Sequence, residues 1–256
     1  MNTRSIFISL SSFGAHEVKR HGQPWYARLC HQAQADGVEI RAELLQGKAA
    51  ECAELAAIVR DTGLRCVYSC PDMLWRADGG LDLEALNRAL AYAEALGAPV
   101  LKMSIGAFSA GSVASLAALE HRLKASGVTL LIENDQTVDA GTLHALSRFY
   151  EAADAAGLDL GMTFDVGNWH WVGECPLQAA GEFSHRVRYV HCKGVLRQPG
   201  RWVAVPLQDS IAPWRAIMRA MPRALPAAIE YPLVGEDLLG VTRDAVRSLR
   251  ELENQL

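Results

Sequence analysis

Short apolar runs alternate with longer Ala/Leu-rich amphipathic stretches along the whole chain. Eight of the runs have the length and character of buried strands: Ser5–Leu10, Val38–Leu44, Arg65–Ser69, Val100–Ser104, Val128–Glu133, Leu160–Asp165, Val187–His191 and Ala227–Tyr231. Between them the helical spacing predicts helices over Trp25–Asp36, Lys48–Thr62, Leu83–Leu96, Ser112–Ala125, Ala140–Ala156, Pro176–Phe183 and Ile211–Met221. A last helix is expected over Leu238–Asn254. Glycines 37, 63, 97, 127 and 157 stand where a helix should give way to a strand, and Asp82 and Ser112 stand where N-caps would. Strand starts recur about every 30 residues, the span of one βα unit. Eight such units predict an α/β fold, a single (β/α)8 TIM barrel spanning residues 1–256 as one domain. The alternative is a doubly wound open sheet. Against its dinucleotide-binding form, the first strand runs into Ser9-Leu10-Ser11-Ser12-Phe13-Gly14, which is no Gly-rich phosphate turn.

Composition narrows the partners. Half of the 256 residues are apolar and 21% are charged, enough for a large core. The net charge is −4 with no long run of either sign, so nothing marks a surface for nucleic acid or anionic membrane. A small-molecule partner is expected, and an oligomer of identical chains stays open. Six scattered cysteines without a C-x-x-C pair read as a reduced, cytoplasmic protein. The apolar stretch after Arg4 is too short for a signal-peptide core, and no run is long enough to span a membrane.

The chemistry of such barrels sits at the carboxyl ends of the strands. Four consecutive strands end in ionisable residues: Glu133, Asp165, His191 and Glu230. Side chains alternate faces along a strand, so these four share one face of their strands while Leu130, Ile132, Phe164, Val190 and Ile229 take the other. With the apolar set against the helices, three carboxylates and one imidazole converge inside the barrel mouth. Three inward carboxylates repel and are costly to ionise in a low-dielectric mouth, and a bound divalent cation resolves that cost. Oxygen donors with one nitrogen suit Mn2+ or Mg2+, with Co2+ or Zn2+ also admissible.

The segments Ile132-Glu133-Asn134, Phe164-Asp165-Val166-Gly167-Asn168-Trp169, Val190-His191-Cys192-Lys193-Gly194 and Ile229-Glu230-Tyr231 resemble motifs of the xylose-isomerase-like barrels of the sugar phosphate isomerase/epimerase superfamily. Gly37-Val38-Glu39-Ile40-Arg41 is similar to its second strand. Val205-Pro206-Leu207, with Ile211 to Trp214, is similar to the segment before its last barrel helix. The resemblance implies that Glu133, Asp165, His191 and Glu230 ligate one divalent cation. It further implies that Glu133 and Glu230 act as acid and base on opposite faces of the substrate. Arg197, six residues after His191, takes the place of a substrate-binding arginine. The family's histidine three residues after the ligand aspartate is here Asn168, with His170 two further on.

The expected reaction is isomerisation or epimerisation of a sugar or sugar-like keto compound. One glutamate removes the proton beside a metal-polarised carbonyl, giving an enediolate, and the other returns it. A metal-dependent dehydratase of a cyclic keto-acid or keto-inositol uses the same parts. A non-catalytic sugar-binding barrel is a third reading. A zinc DNA-repair endonuclease needs a His-rich three-metal site and a basic face, whereas this chain has Cys70 at the end of its third strand and an acidic balance. Around the four residues, Lys193 is expected as a phosphate or supporting contact, with a plain solvated lysine as its rival. Lys102 and Glu43 are expected as structural salt bridges before pocket walls. Trp169, Trp171 and Trp202 are candidates to wall a sugar ring, with simple packing as their rival. Cys192 is expected to face the helices as an inert thiol.

Overall fold

The computed structural model describes residues 4–253 and shows a closed barrel of eight parallel strands. The strands are β1 (Ile6–Ser9), β2 (Gly37–Arg41), β3 (Arg65–Trp75), β4 (Val100–Gly106), β5 (Thr129–Glu133), β6 (Gly161–Asp165), β7 (Val187–Cys192) and, after an excursion, β10 (Ala227–Ile229). The excursion is an antiparallel hairpin, β8 (Gly194–Gln198) and β9 (Arg201–Val205), outside the barrel. Around the ring the order is β1-β10-β7-β6-β5-β4-β3-β2, so the first and last strands pair and no edge is left open. This closure excludes the open-sheet alternative.

The helices are α1 (Ala15–His21), α2 (Gln23–Gln32), α3 (Lys48–Thr62), α4 (Leu83–Leu96), α5 (Leu116–Ser126), α6 (Leu143–Ala155), α7 (Pro176–Phe183), α8 (Trp214–Ala220) and α9 (Leu238–Glu253). Helix α1 and the hairpin are additions to the predicted pattern, and Asn254 lies outside the described residues. Asp82 caps α4 by accepting from the Ala85 N–H at 2.8 Å, an interaction of about 1 kcal/mol. Ser112 is not a cap residue. It is the third residue of a 3-10 turn that begins after Ser109, and its hydroxyl accepts from the Ser109 N–H to close a capping box. No helix among the described residues is long and apolar enough to cross a membrane.

Two separate apolar clusters show which way each strand faces. Leu130, Ile132, Phe164, Val190 and Ile229 belong to the large cluster between strands and helices. Phe7, Val67, Leu131, Tyr189 and Ala228 form a small one that plugs the barrel interior. The alternation expected from the sequence therefore holds: Leu131, Tyr189 and Ala228 point inward, and so do Glu133, His191 and Glu230, each two residues further along its strand. The apolar plug lies toward the amino ends of the strands and the ionisable layer toward the carboxyl ends.

Candidate metal centre

Strand pairing sets the height of each polar side chain. Asp165 pairs with His191, His191 with Ala228, and Ser9 with Glu39. The four strand-end residues are thereby brought together, with one donor atom of each within 4.8 Å of the others. His191 is the hub. Its Nδ1 lies 2.9 Å from Glu230 Oε2, 3.0 Å from Glu133 Oε1 and 3.6 Å from Asp165 Oδ2.

Asp165 is aimed by its own backbone. Its Oδ1 accepts the N–H groups of Gly167 and Asn168, both at 2.8 Å, leaving Oδ2 turned into the cluster. Lys193 Nζ lies 2.9 Å from that buried Oδ2 as an ion pair. Gly167 makes the approach of Lys193 feasible, since a Cβ there would stand 2.8 Å from the Lys193 carbonyl oxygen. Three carboxylates and one imidazole nitrogen, each with a donor atom turned to the same point, fit a divalent cation.

Three cations brace the layer. Lys102 Nζ donates to Glu133 Oε2 at 2.8 Å, and Arg41 Nη1 donates to Glu230 Oε1 at 2.9 Å. Lys193 Nζ donates to Glu230 Oε2 at 2.8 Å, so the solvated-lysine reading is replaced by a place inside the cluster. Glu43 pairs with Arg41 at 2.9 Å on the outer side, and Lys102 is fully buried, so both are the salt bridges expected of them.

The charges shift the titrations in opposite directions. Burial opposes ionisation of Glu133 and Glu230, yet His191 with Lys102 or Lys193 outweighs it and holds both carboxyls below their usual range. Burial raises Asp165 despite Lys193 beside it. Burial disfavours the imidazolium of His191, but Glu230 and Glu39 overcome it and raise its pKa well above 6.5. A raised histidine stabilises the fold fully below about pH 6.5, and that contribution is lost as pH rises through the folded value. Asp165 works in the same direction from its ordinary value upward. The depressed glutamates contribute above about pH 4.5 and lose their contribution on acidification. Metal-free protein is thus expected to lose thermal stability as pH rises above about 6.5. A cation on Nδ1 must displace the proton there, so the melting shift produced by Mn2+ should grow over the same range. Melting curves with and without Mn2+ check both signs, and an Mn2+ shift independent of pH contradicts them.

Other expected site residues fare differently. Trp169 does not wall the mouth. The 3-10 turn Asn168–His170 rolls its ring behind the barrel wall, where it is fully buried against Phe164 and Phe183. Asn168 is engaged within the protein. Its Oδ1 accepts from Gln136 Nε2 and its Nδ2 donates to the Asn134 carbonyl, tying the ends of β5 and β6 together. His170 stands edge-on to Trp202, and the Arg197 guanidinium lies 5.1 Å over the same ring. These three make one patch where the 3-10 turn after β6 meets the hairpin that leaves the barrel after Lys193. Trp171 packs partly buried against the core, and Cys192 is buried among apolar neighbours. Unforeseen as parts of the layer were Glu39 and Arg41. Both occupy the inward phase of β2, and the alternation that found Glu133 would have found them.

No protein of curated function matches the chain by sequence. Solved structures with the same fold include a probable 3-DHS dehydratase from Bacillus anthracis, 14% identical, with a TM-score of 0.71 over 96% of this chain and 98% of that one. D-allulose 3-epimerase from Methylomonas sp. is 13% identical, with a TM-score of 0.68 over 98% of each chain. The 3-keto-D-glucoside 4-epimerase of E. coli is 15% identical, with a TM-score of 0.67 over 97% of this chain and 99% of that one. At such identities the likeness establishes the fold. The sequence pattern of one family runs through residues 27–252, nearly the whole barrel, and by that match the chain belongs to the family described as xylose isomerase-like TIM barrel.

Proposed function

We propose that this protein is a metal-dependent isomerase or epimerase of a sugar or sugar-like keto compound. The observation that carries the reading is the placement of two glutamates. Glu133 ends β5 and Glu230 immediately follows β10, and these strands flank the β6–β7 pair that carries Asp165 and His191. The two carboxylates thus reach the same imidazole nitrogen from two sides, 3.0 and 2.9 Å away. Glu133, Asp165, His191 and Glu230 would hold one divalent cation, which when bound supplies Lewis-acid polarisation of a substrate carbonyl.

The rest of the chemistry falls to the chain. One glutamate removes the proton on the carbon beside the carbonyl, and the other delivers a proton to the opposite face or the neighbouring carbon. Lys193 and Arg41 stand beside the carboxylates as charged donors for the oxyanion that this proton loss creates. The closed barrel and its apolar plug keep water from entering through the floor. Epimers result if the proton returns to the same carbon, and an aldose–ketose pair if it returns to the next.

The same two cations favour one second reading. Charged donors in the mouth would also pair a substrate carboxylate, and a keto-acid that loses a β-hydroxyl after the same proton removal makes the protein a dehydratase. Incubation of Mn2+-loaded protein in D2O with panels of ketoses and cyclic keto-acids tests both readings by NMR. Deuterium is expected at the carbon beside the carbonyl of at least one compound. Recovery of the same skeleton marks an isomerase, and loss of water marks the dehydratase. No exchange with any compound would sink the proposal.

A further inference from the structure

Glu39 is outside the four-residue cluster, yet it meets that cluster at one atom. Its Oε2 lies 2.7 Å from His191 Nε2, and both side chains are fully buried. The opposite ring nitrogen, Nδ1, is the one that faces Glu133, Asp165 and Glu230. A histidine can ligate a cation only through an unprotonated nitrogen, so its proton must sit on the other one, and an acceptor fixed beside that nitrogen selects the tautomer.

Glu39 is itself fixed. Its Oε1 receives Arg41 Nη1 at 3.0 Å and the Ser9 hydroxyl at 3.3 Å, with Lys102 Nζ at 3.4 Å. Ser9 is its register partner across β1 and β2, so sheet pairing sets the height of the carboxylate. Tyr189 adds a steric stop, its ring standing edge-on to the imidazole at 5.4 Å between centroids. Ring and acceptor together leave His191 one orientation.

We propose that Glu39 is a positioning residue that holds the proton of His191 on Nε2 and so presents Nδ1 to a divalent cation in the cluster. The inference rests on the metal-centre reading above. A partner of this kind typically changes metal affinity ten- to a hundredfold. The rival role is structural, with Glu39 only neutralising Arg41 and Lys102.

The test uses the full chain as wild type, E39Q and E39L. Mn2+ affinity is measured by calorimetry, and the ring nitrogens of His191 are followed by NMR in 15N-histidine protein loaded with diamagnetic Zn2+. Wild type is expected to bind one ion per chain and to show a slowly exchanging Nε2 proton. E39Q, nearly isosteric and still able to offer an oxygen, should weaken Mn2+ binding about tenfold, and E39L about a hundredfold with loss of the slow Nε2 proton. If both variants bind Mn2+ as wild type does, with His191 signals unchanged, the role of Glu39 is overturned and the metal centre stands. If wild type binds no divalent cation, both fall. Should E39L fail to fold, E39Q alone decides, because its affinity and its His191 signals are read on a near-native side chain.

Discussion

Glu133→Gln and Glu230→Gln are each expected to lower the rate of substrate interconversion by about 10²- to 10⁴-fold, the usual contribution of a positioned acid or base. The amide keeps an oxygen donor toward a cation but can no longer take up a proton. In the proposed reaction both glutamates serve every turnover, one in each role, so either substitution should slow conversion in both directions. The two variants should differ in a finer readout. If each glutamate attends one face, the surviving one still exchanges its own epimer's proton with D2O. Each variant should therefore deuterate one epimer and not the other, and the two should choose opposite epimers. Loss of conversion without this split would point to a single base, and undiminished conversion in either variant removes that residue from the chemistry.

Lys102→Met is expected to destabilise the metal-free protein by about 3–5 kcal/mol, the cost of removing one partner from a buried ion pair. Lys102 is 1% exposed, with Glu133 at 2.8 Å and Glu39 at 3.4 Å. Methionine matches its length and leaves two carboxylates each short of one cationic partner. The same change removes a positive charge that competes with a metal ion, so saturating Mn2+ should restore part of the lost stability. Urea unfolding of both proteins with and without Mn2+ checks this. Equal stability of the metal-free pair, or a loss that Mn2+ does nothing to reduce, contradicts it.

The barrel was legible because its signals are local. Each strand is a short apolar run, and most joints carry a glycine or a cap. The four cluster residues were legible for a related reason. Alternation along a strand is a strict two-residue rule, so Ile132 and Phe164 facing the helices oblige Glu133 and Asp165 to face inward. The remainder depended on closure or on turns. Arg41 meets Glu230 across 189 positions because β2 and β10 both flank β1 in the closed ring, and no spacing in the chain announces that contact. Trp169 misled for the opposite reason. It follows Asp165 closely in sequence, but the strand rule ends at Asp165, and a 3-10 turn sends the ring into the core. The hairpin turns at Pro199-Gly200, a turn signal between two runs of alternating character, but its two five-residue strands lie outside the repeating βα period that announces the barrel. β3 runs on from Ser69 to Trp75 past a register shift, a bulge that the sequence pattern alone does not display.

Glu133, Asp165, His191 and Glu230 are expected to share one divalent cation. Anomalous scattering from crystals soaked in Mn2+ tests this most directly. A single strong peak per chain is expected, bonded to His191 Nδ1 and to an oxygen of each of the three carboxylates, with His191 Nε2 still on Glu39. A cluster that stays empty at saturating Mn2+, with Lys193 and His191 keeping their present ion pairs to the carboxylates, would contradict it.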